Sequence, residues 1–115
     1  MTHKGERRLG TVDHFTVVVA VAPDETRLQL RGELDMAATS DLMTAFENAA
    51  NADVTAALVV DVAALTFLDS SGVRGLLQAA ARCEKENVGF RVEGASGAIR
   101  RVFEITYTLE ALHVD

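Results

Sequence analysis

Asp69-Ser70-Ser71-Gly72 sets two hydroxyls and a carboxylate between a short apolar run, Leu58-Val59-Val60, and a long amphipathic stretch that begins at Val73. This is the pattern of a strand-to-helix junction. The first N–H groups of a helix lack intrahelical partners and carry partial positive charge. An anion attached there is well tolerated by the fold. A serine at such a point can be a plain cap, a nucleophile or a phosphorylation switch.

A nucleophile needs company that this chain does not offer. The hydrolase elbow is Gly-x-Ser-x-Gly, but Leu68 stands two before Ser70 and Asp69 two before Ser71. A serine also needs a base. His3 lies near the N-terminus, His14 at a strand start and His113 near the C-terminus, and each reads as a solvated surface residue. No Gly-x-x-x-x-Gly-Lys or Gly-x-Gly-x-x-Gly motif is present to cradle a nucleotide. No Cys/His cluster suits zinc. A phospho-acceptor receiver domain would use Asp61 at the end of its strand, an acidic pair for Mg²⁺ and a later lysine. Here Asp24-Glu25 sits in a hairpin turn and Glu93 stands where the lysine is needed. The expectation is no enzyme, no catalytic residue, no metal and no cofactor.

The elements around the tetrad follow from periodicity. Phe15 to Val21 reads as a strand, Ala22-Pro23-Asp24-Glu25 as a turn, and Thr26 to Arg31 as the returning arm of a hairpin. Leu42, Ala45, Phe46 and Ala49 follow helical spacing, with Asp35 or Thr39 as cap. Ala57 to Asp61 reads as a central strand covered on both faces. Ala63 to Leu68 reads as a packed loop leading to the tetrad. A second helix is expected from about Gly72 to Glu86, capped by Ser71, with Val73, Leu76, Leu77 and Ala80 inward. Val88, Phe90 and Val92 alternate as a strand, and Ser96 can cap a third helix with Ile99, Val102 and Phe103 inside. Leu109 to Asp115 reads as an edge strand or a packed tail. The expected core includes Leu58, Val60, Leu76, Leu77, Val92 and Phe103. The order β-β-α-β-α-β-α implies an α/β domain, a mixed sheet with an N-terminal hairpin and helices packed against it.

Composition narrows the class. At 115 residues and 49% apolar, the chain suits one domain. Trp is absent, so a base-stacking surface is not expected. A net charge of −6 argues against nucleic acid and anionic membranes, which are bound through basic patches. The single cysteine, Cys83, forms no intrachain disulfide and reads as a small core residue of a reducing compartment. The polar segment 1–13 is followed by no signal-like apolar run, and nothing approaches the ~20 apolar residues of a membrane span. The expectation is a cytoplasmic protein with no membrane insertion, a flexible tail over 1–13 and a domain over 14–115.

Gly32-Glu33-Leu34-Asp35, Leu58-Val59-Val60-Asp61, Phe67-Leu68-Asp69-Ser70-Ser71-Gly72-Val73 and Ala95-Ser96 before Ile99-Arg100-Arg101-Val102-Phe103-Glu104 resemble the STAS domain of bacterial anti-sigma factor antagonists. The resemblance spans about residues 14 to 114, and the tetrad in this context is its strongest part. It implies a binding protein that captures an anti-sigma factor, a serine kinase of the GHKL class, and so frees a sigma factor. It also implies that this kinase phosphorylates the first serine, Ser70, and that a phosphoserine phosphatase restores binding. Ser71 stays open as the alternative acceptor or as a structural hydroxyl. The implied partner surface is Asp35, Asp69, Ser70, Ser71, Gly72, Val73 and Arg74. Leu34 and Met36 flank it. Two departures from the family's usual pattern stand out. Gly72-Val73-Arg74 replaces Gly-Leu-Gly, and Ser96-Gly97 and Thr106-Tyr107-Thr108 replace Ser-Pro and Thr-Gly-Leu. The competing reading is a STAS subunit of a lipid-transport ATPase complex or of a stressosome-type scaffold.

Overall fold

The computed structural model describes residues 6–9, 12–50 and 56–115. Five strands form one sheet in the order β1-β2-β3-β4-β5. They are β1 (Glu6–Leu9), β2 (Phe15–Val21), β3 (Thr26–Leu34), β4 (Ala57–Leu68) and β5 (Gly89–Glu93). Three helices, α1 (Thr39–Ala50), α2 (Ser70–Lys85) and α3 (Gly97–Ile105), complete the domain. β2 and β3 are the expected hairpin, and β3, β4 and β5 run parallel, so the mixed sheet stands as read. The tail reading needs correction at Glu6–Leu9, which pairs antiparallel with β2 and sets Leu9 opposite Val17. The free edge of β2 offers unpaired N–H and C=O groups, and a neighbouring segment takes them up whatever its polarity. Residues 1–5, 10 and 11 of the expected tail lie outside the described residues, as do 51–55 after α1.

β4 is twice as long as its apolar run suggests. The segment Ala63 to Leu68, read as a loop, continues the strand up to the tetrad. Its pairing with β3 shifts between Gln29 and Arg31 and again between Gly32 and Glu33, with β4 carrying the extra residue each time. Each bulge adds a residue and re-aims the chain. On the face turned to the core, the buried positions along β4 therefore run Leu58, Val60, Val62, then Leu65 and Leu68. Alternation gives way to a spacing of three, and the period-2 signature of a strand disappears just where the strand approaches the site.

A single apolar cluster joins the inner face of the sheet to Leu42 and Phe46 of α1, Leu76 and Cys83 of α2, and Ile99 and Phe103 of α3. Leu58, Val60, Leu76, Val92 and Phe103 are buried as expected. Leu77 is not. The buried side of α2 is Gly72, Val73, Gly75, Leu76, Ala79 and Cys83, which leaves Leu77 and Ala80 half-buried at its rim. The run Leu58–Val60 is covered on both faces as read, but the cover of the outer face is charged side chains rather than a helix. Val59 is fully buried yet stands outside the cluster. In register it sits between Arg27 and Arg91. Their stems cover it while their guanidinium groups bind Glu93, at 3.0 Å from Arg27 and 2.6 Å from Arg91. The last residues fold back so that Val114 bridges Val92 and Leu112 is buried, which covers part of the β5 edge.

Candidate functional site

Parallel pairing sets Leu34 opposite Leu68 at the carboxyl ends of β3 and β4. Asp35 and Asp69, far apart in sequence, therefore leave the sheet side by side. Each uses the same device. Asp35 Oδ1 accepts the Ala38 N–H at 3.0 Å just before α1, and Asp69 Oδ1 accepts the Gly72 N–H at 3.0 Å at the start of α2. Asp69 is thus the N-cap of α2, and Ser70 is its first residue. This corrects the reading of Ser71 as cap. Thr39 does not cap α1 either, because its hydroxyl donates to the Met36 carbonyl at 2.9 Å. Ser96 occupies the N-cap position of α3 without using its hydroxyl there.

Because Asp69 serves the helix end, the serines have no structural task. Neither hydroxyl bonds to another described residue. Ser70 is exposed and Ser71 half-buried. Gly72 is buried, and a Cβ there would lie 2.8 Å from the Leu34 carbonyl oxygen and 2.7 Å from Leu68 Cδ1. Only glycine lets α2 start this close to the strand ends. Val73 belongs to the core, 4% exposed. Of the expected partner surface, then, Gly72 and Val73 build the turn from inside. Asp35, Asp69, Ser70, Ser71 and Arg74 remain accessible. Arg74 is exposed and has no ion pair or hydrogen bond among the described residues. With Met36, Thr39, Ser71, Gly75 and Gln78 it lines a groove of about 240 Å³ between α1 and α2. Met36 (73% exposed), which lines this groove with Ser71, and Phe67 (47% exposed), three residues before Ser70 in the chain, add exposed apolar surface.

His14 ties the site to the hairpin. Its Nε2 lies 3.1 Å from Asp35 Oδ1, and its carbonyl accepts the Glu33 N–H at 2.8 Å. Gly32 permits this approach, since at φ +93 a Cβ would fall 2.1 Å from the His14 oxygen. The hydrogen bond to Asp35 raises the His14 pKa above 6.5, against a smaller opposing desolvation, and lowers that of Asp35 below 3.8. Reading His14 as a solvated surface residue missed this contact. The signal was present in the hairpin: a turn over Ala22–Glu25 pairs Phe15 with Gly32, and so delivers His14 to Glu33 and Asp35. Phe67, Thr39 and Gln78 had no comparable signal. Among the described residues no group of His, Cys, Asp and Glu could hold a metal ion. No helix there is long and apolar enough to cross a membrane.

A family model described as Mlab, STAS domain, matches residues 17–108. The chain belongs to the STAS domain family. No curated protein matches it. Among solved structures, this STAS domain is similar to an anti-sigma factor antagonist from Mycobacterium paratuberculosis, with 31% identity and a TM-score of 0.74 over 91% of this chain and 88% of that one. An antisigma-factor antagonist STAS domain from Rhodobacter sphaeroides is 25% identical, with a TM-score of 0.61 over 73% of this chain and 90% of that one. The anti-sigma factor antagonist SpoIIAA in its unphosphorylated form is 22% identical, with a TM-score of 0.72 over 88% of this chain and 87% of that one, and shares the fold. The carboxyl ends of β3 and β4 with the start of α2 are therefore features of a STAS domain of the kind found in anti-sigma factor antagonists.

Proposed function

We propose that this STAS domain is an anti-sigma factor antagonist switched by phosphorylation at Ser70. Unphosphorylated, it binds a kinase-type anti-sigma factor of the GHKL class and releases the sigma factor held there. The kinase then transfers the γ-phosphoryl group of ATP to the Ser70 oxygen. A P–O bond forms to Ser70, the bond between the β and γ phosphates breaks, the hydroxyl proton is lost to solvent or a base, and ADP leaves. A phosphoserine phosphatase resets the domain. The protein contributes a docking surface and an acceptor hydroxyl, and no catalytic group of its own.

The observation that carries this reading is the division of labour at the start of α2. Asp69 caps the helix, so the exposed Ser70 hydroxyl is free to be modified without loss of structure. Phosphorylation adds about −1.5 to −2 charges at pH 7. The free N–H groups of the first turn tolerate that charge within the domain. A partner face fitted to a neutral hydroxyl beside Asp35, Asp69, Met36 and Phe67 does not tolerate it. A coupling of roughly 1–3 kcal/mol between phosphate and partner is the usual scale, about 5- to 150-fold in affinity. Similarity to antagonists from two bacteria supports the same partner class.

The test is incubation with the captured kinase and ATP, followed by intact mass of wild type, Ser70→Ala and Ser71→Ala. Wild type and Ser71→Ala should gain one phosphate, while Ser70→Ala should gain none and bind constitutively. Loss of phosphate in Ser71→Ala alone would move the switch to Ser71. No phosphate on any form, with an ATPase–permease pair captured instead of a kinase, would favour the transport-subunit reading.

A further inference from the structure

Arg74 is the only Lys or Arg between Glu33 and Ala50 or between Ala63 and Ala81, the two stretches that build the site. The other charged residues of these two stretches are acidic, Glu33, Asp35, Asp41, Glu47 and Asp69, and His14 reaches Asp35 from the hairpin. Arg27 and Arg91 are engaged on the outer sheet face, and Arg82 with Glu47 and Glu86. Arg74 has no such partner among the described residues, although Asp69 is near in sequence. Asp69 is committed to the Gly72 N–H instead. Within α2, Arg74 follows Ser70 by four positions and Ser71 by three, so its side chain and both hydroxyls share one helix face, with Cβ atoms about 5–6 Å apart. Ser71 and Arg74 also line the same groove beside α1.

We propose that Arg74 is the phosphate-reading residue of this domain: once Ser70 is phosphorylated, Arg74 ion-pairs with the phosphate across one helical turn and holds the switched-off state. This rests on the reading of Ser70 as phosphoacceptor. The physical need is plain. A phosphate on Ser70 stands next to the Asp69 carboxylate, and like charges at that distance repel. Arg74, one helical turn further along α2, is a cation placed to offset them. An acid preceding a base by four residues is also the favourable order on a helix, because it agrees with the helix dipole. An arginine fork suits phosphate oxygens better than a lysine point charge. The same capture removes Arg74 from the groove, where in the unphosphorylated domain it faces a partner unpaired. Phosphorylation then changes the surface twice, by adding a dianion and by withdrawing the Arg74 guanidinium.

The test needs no kinase. Phosphoserine is placed at position 70 by coded incorporation into the full chain, and the phosphate is titrated by phosphorus NMR in wild type, Arg74→Gln and Arg74→Lys. The second phosphate ionisation, near pH 6 in a free phosphoserine, should lie at least about 0.3 pH units lower in wild type than in Arg74→Gln, the scale of an exposed helical ion pair. Arg74→Lys should recover part of the shift, and the difference should shrink between 0.05 and 1 M salt. The helix end acts equally on all three proteins, so the comparison isolates residue 74. Equal midpoints in wild type and Arg74→Gln would overturn the clamp. Should Arg74→Gln lose its native circular dichroism, the Arg74→Lys comparison and the salt series decide. If the midpoints shift as expected but the captured kinase never phosphorylates Ser70, the clamp stands and the functional reading fails; the reverse outcome removes only the clamp.

Discussion

Asp69, as the cap of α2, carries a stability role separable from the switch. Asp69→Ala should lower unfolding free energy by about 0.5–2 kcal/mol, because the Gly72 N–H loses its acceptor. Ser71→Ala should change it by less than about 0.5 kcal/mol, since that hydroxyl bonds to nothing described. Urea denaturation of both variants separates the assignments, and a larger loss in Ser71→Ala would return the capping role to Ser71. The His14–Asp35 contact gives a pH signature. His14 titrates above 6.5 in the folded protein, so its contribution is complete below pH 6.5 and is lost as pH rises through the folded value. Asp35 titrates below 3.8, so its contribution is present above pH 3.8 and is lost as pH falls through its folded value. The pair is strongest between about pH 4 and 6.5. Nitrogen-resolved NMR titration should show the His14 midpoint fall toward 6.5 in Asp35→Asn; an unmoved midpoint would mean that the contact does not hold in solution.

Among the elements, α2 shows how one residue of phase alters the energetics. Leu76 is fully buried against the sheet, whereas its neighbour Leu77 sits half-buried near Val88 and Phe90. Leu76→Ala should cost about 2–5 kcal/mol, the range for a closed core site. Leu77→Ala should cost less than half as much, because solvent already reaches the position and little cavity is left behind. Chemical denaturation of the pair gives the order, and equal losses would contradict this rotation of α2. β4 makes the complementary point. Its two bulges bring Leu68 opposite Leu34, and that register carries Asp69 to the side of Asp35.

Across the whole molecule, one apolar cluster links the inner face of the sheet to every helix. Such a chain should unfold as one cooperative unit. Calorimetry should show a single transition with an enthalpy of about 80 kcal/mol near 60 °C on the usual per-residue scale, equal to its van't Hoff value. Two resolved transitions would show that α3 and the C-terminal residues melt apart from the sheet. The outer sheet face takes another route to closure, in which Arg27, Arg91, Glu25, Asp61 and Glu93 form a charged lattice over Val59. Cys83 lies inside the cluster, and desolvation raises its thiol to about 11, so it stays protonated and unreactive at neutral pH.

What the sequence determined by itself was whatever depends on neighbours along the chain. The hairpin, the helical faces of α1 and α3, the apolar run of β4 and the tetrad at a strand-to-helix junction are all local patterns, and they sufficed for the fold class and for the position of the tetrad at the start of α2. The tertiary structure decided what depends on residues distant in sequence. It paired Glu6–Leu9 with β2, because an open strand edge selects a partner by hydrogen bonding rather than by polarity. It extended β4 through two bulges that erase the period of a strand from the sequence. It gave the cap to Asp69, joined His14 to Asp35, and turned Leu77 toward solvent. In each case a polar or apolar side chain had more than one local use, and packing across the sheet chose between them.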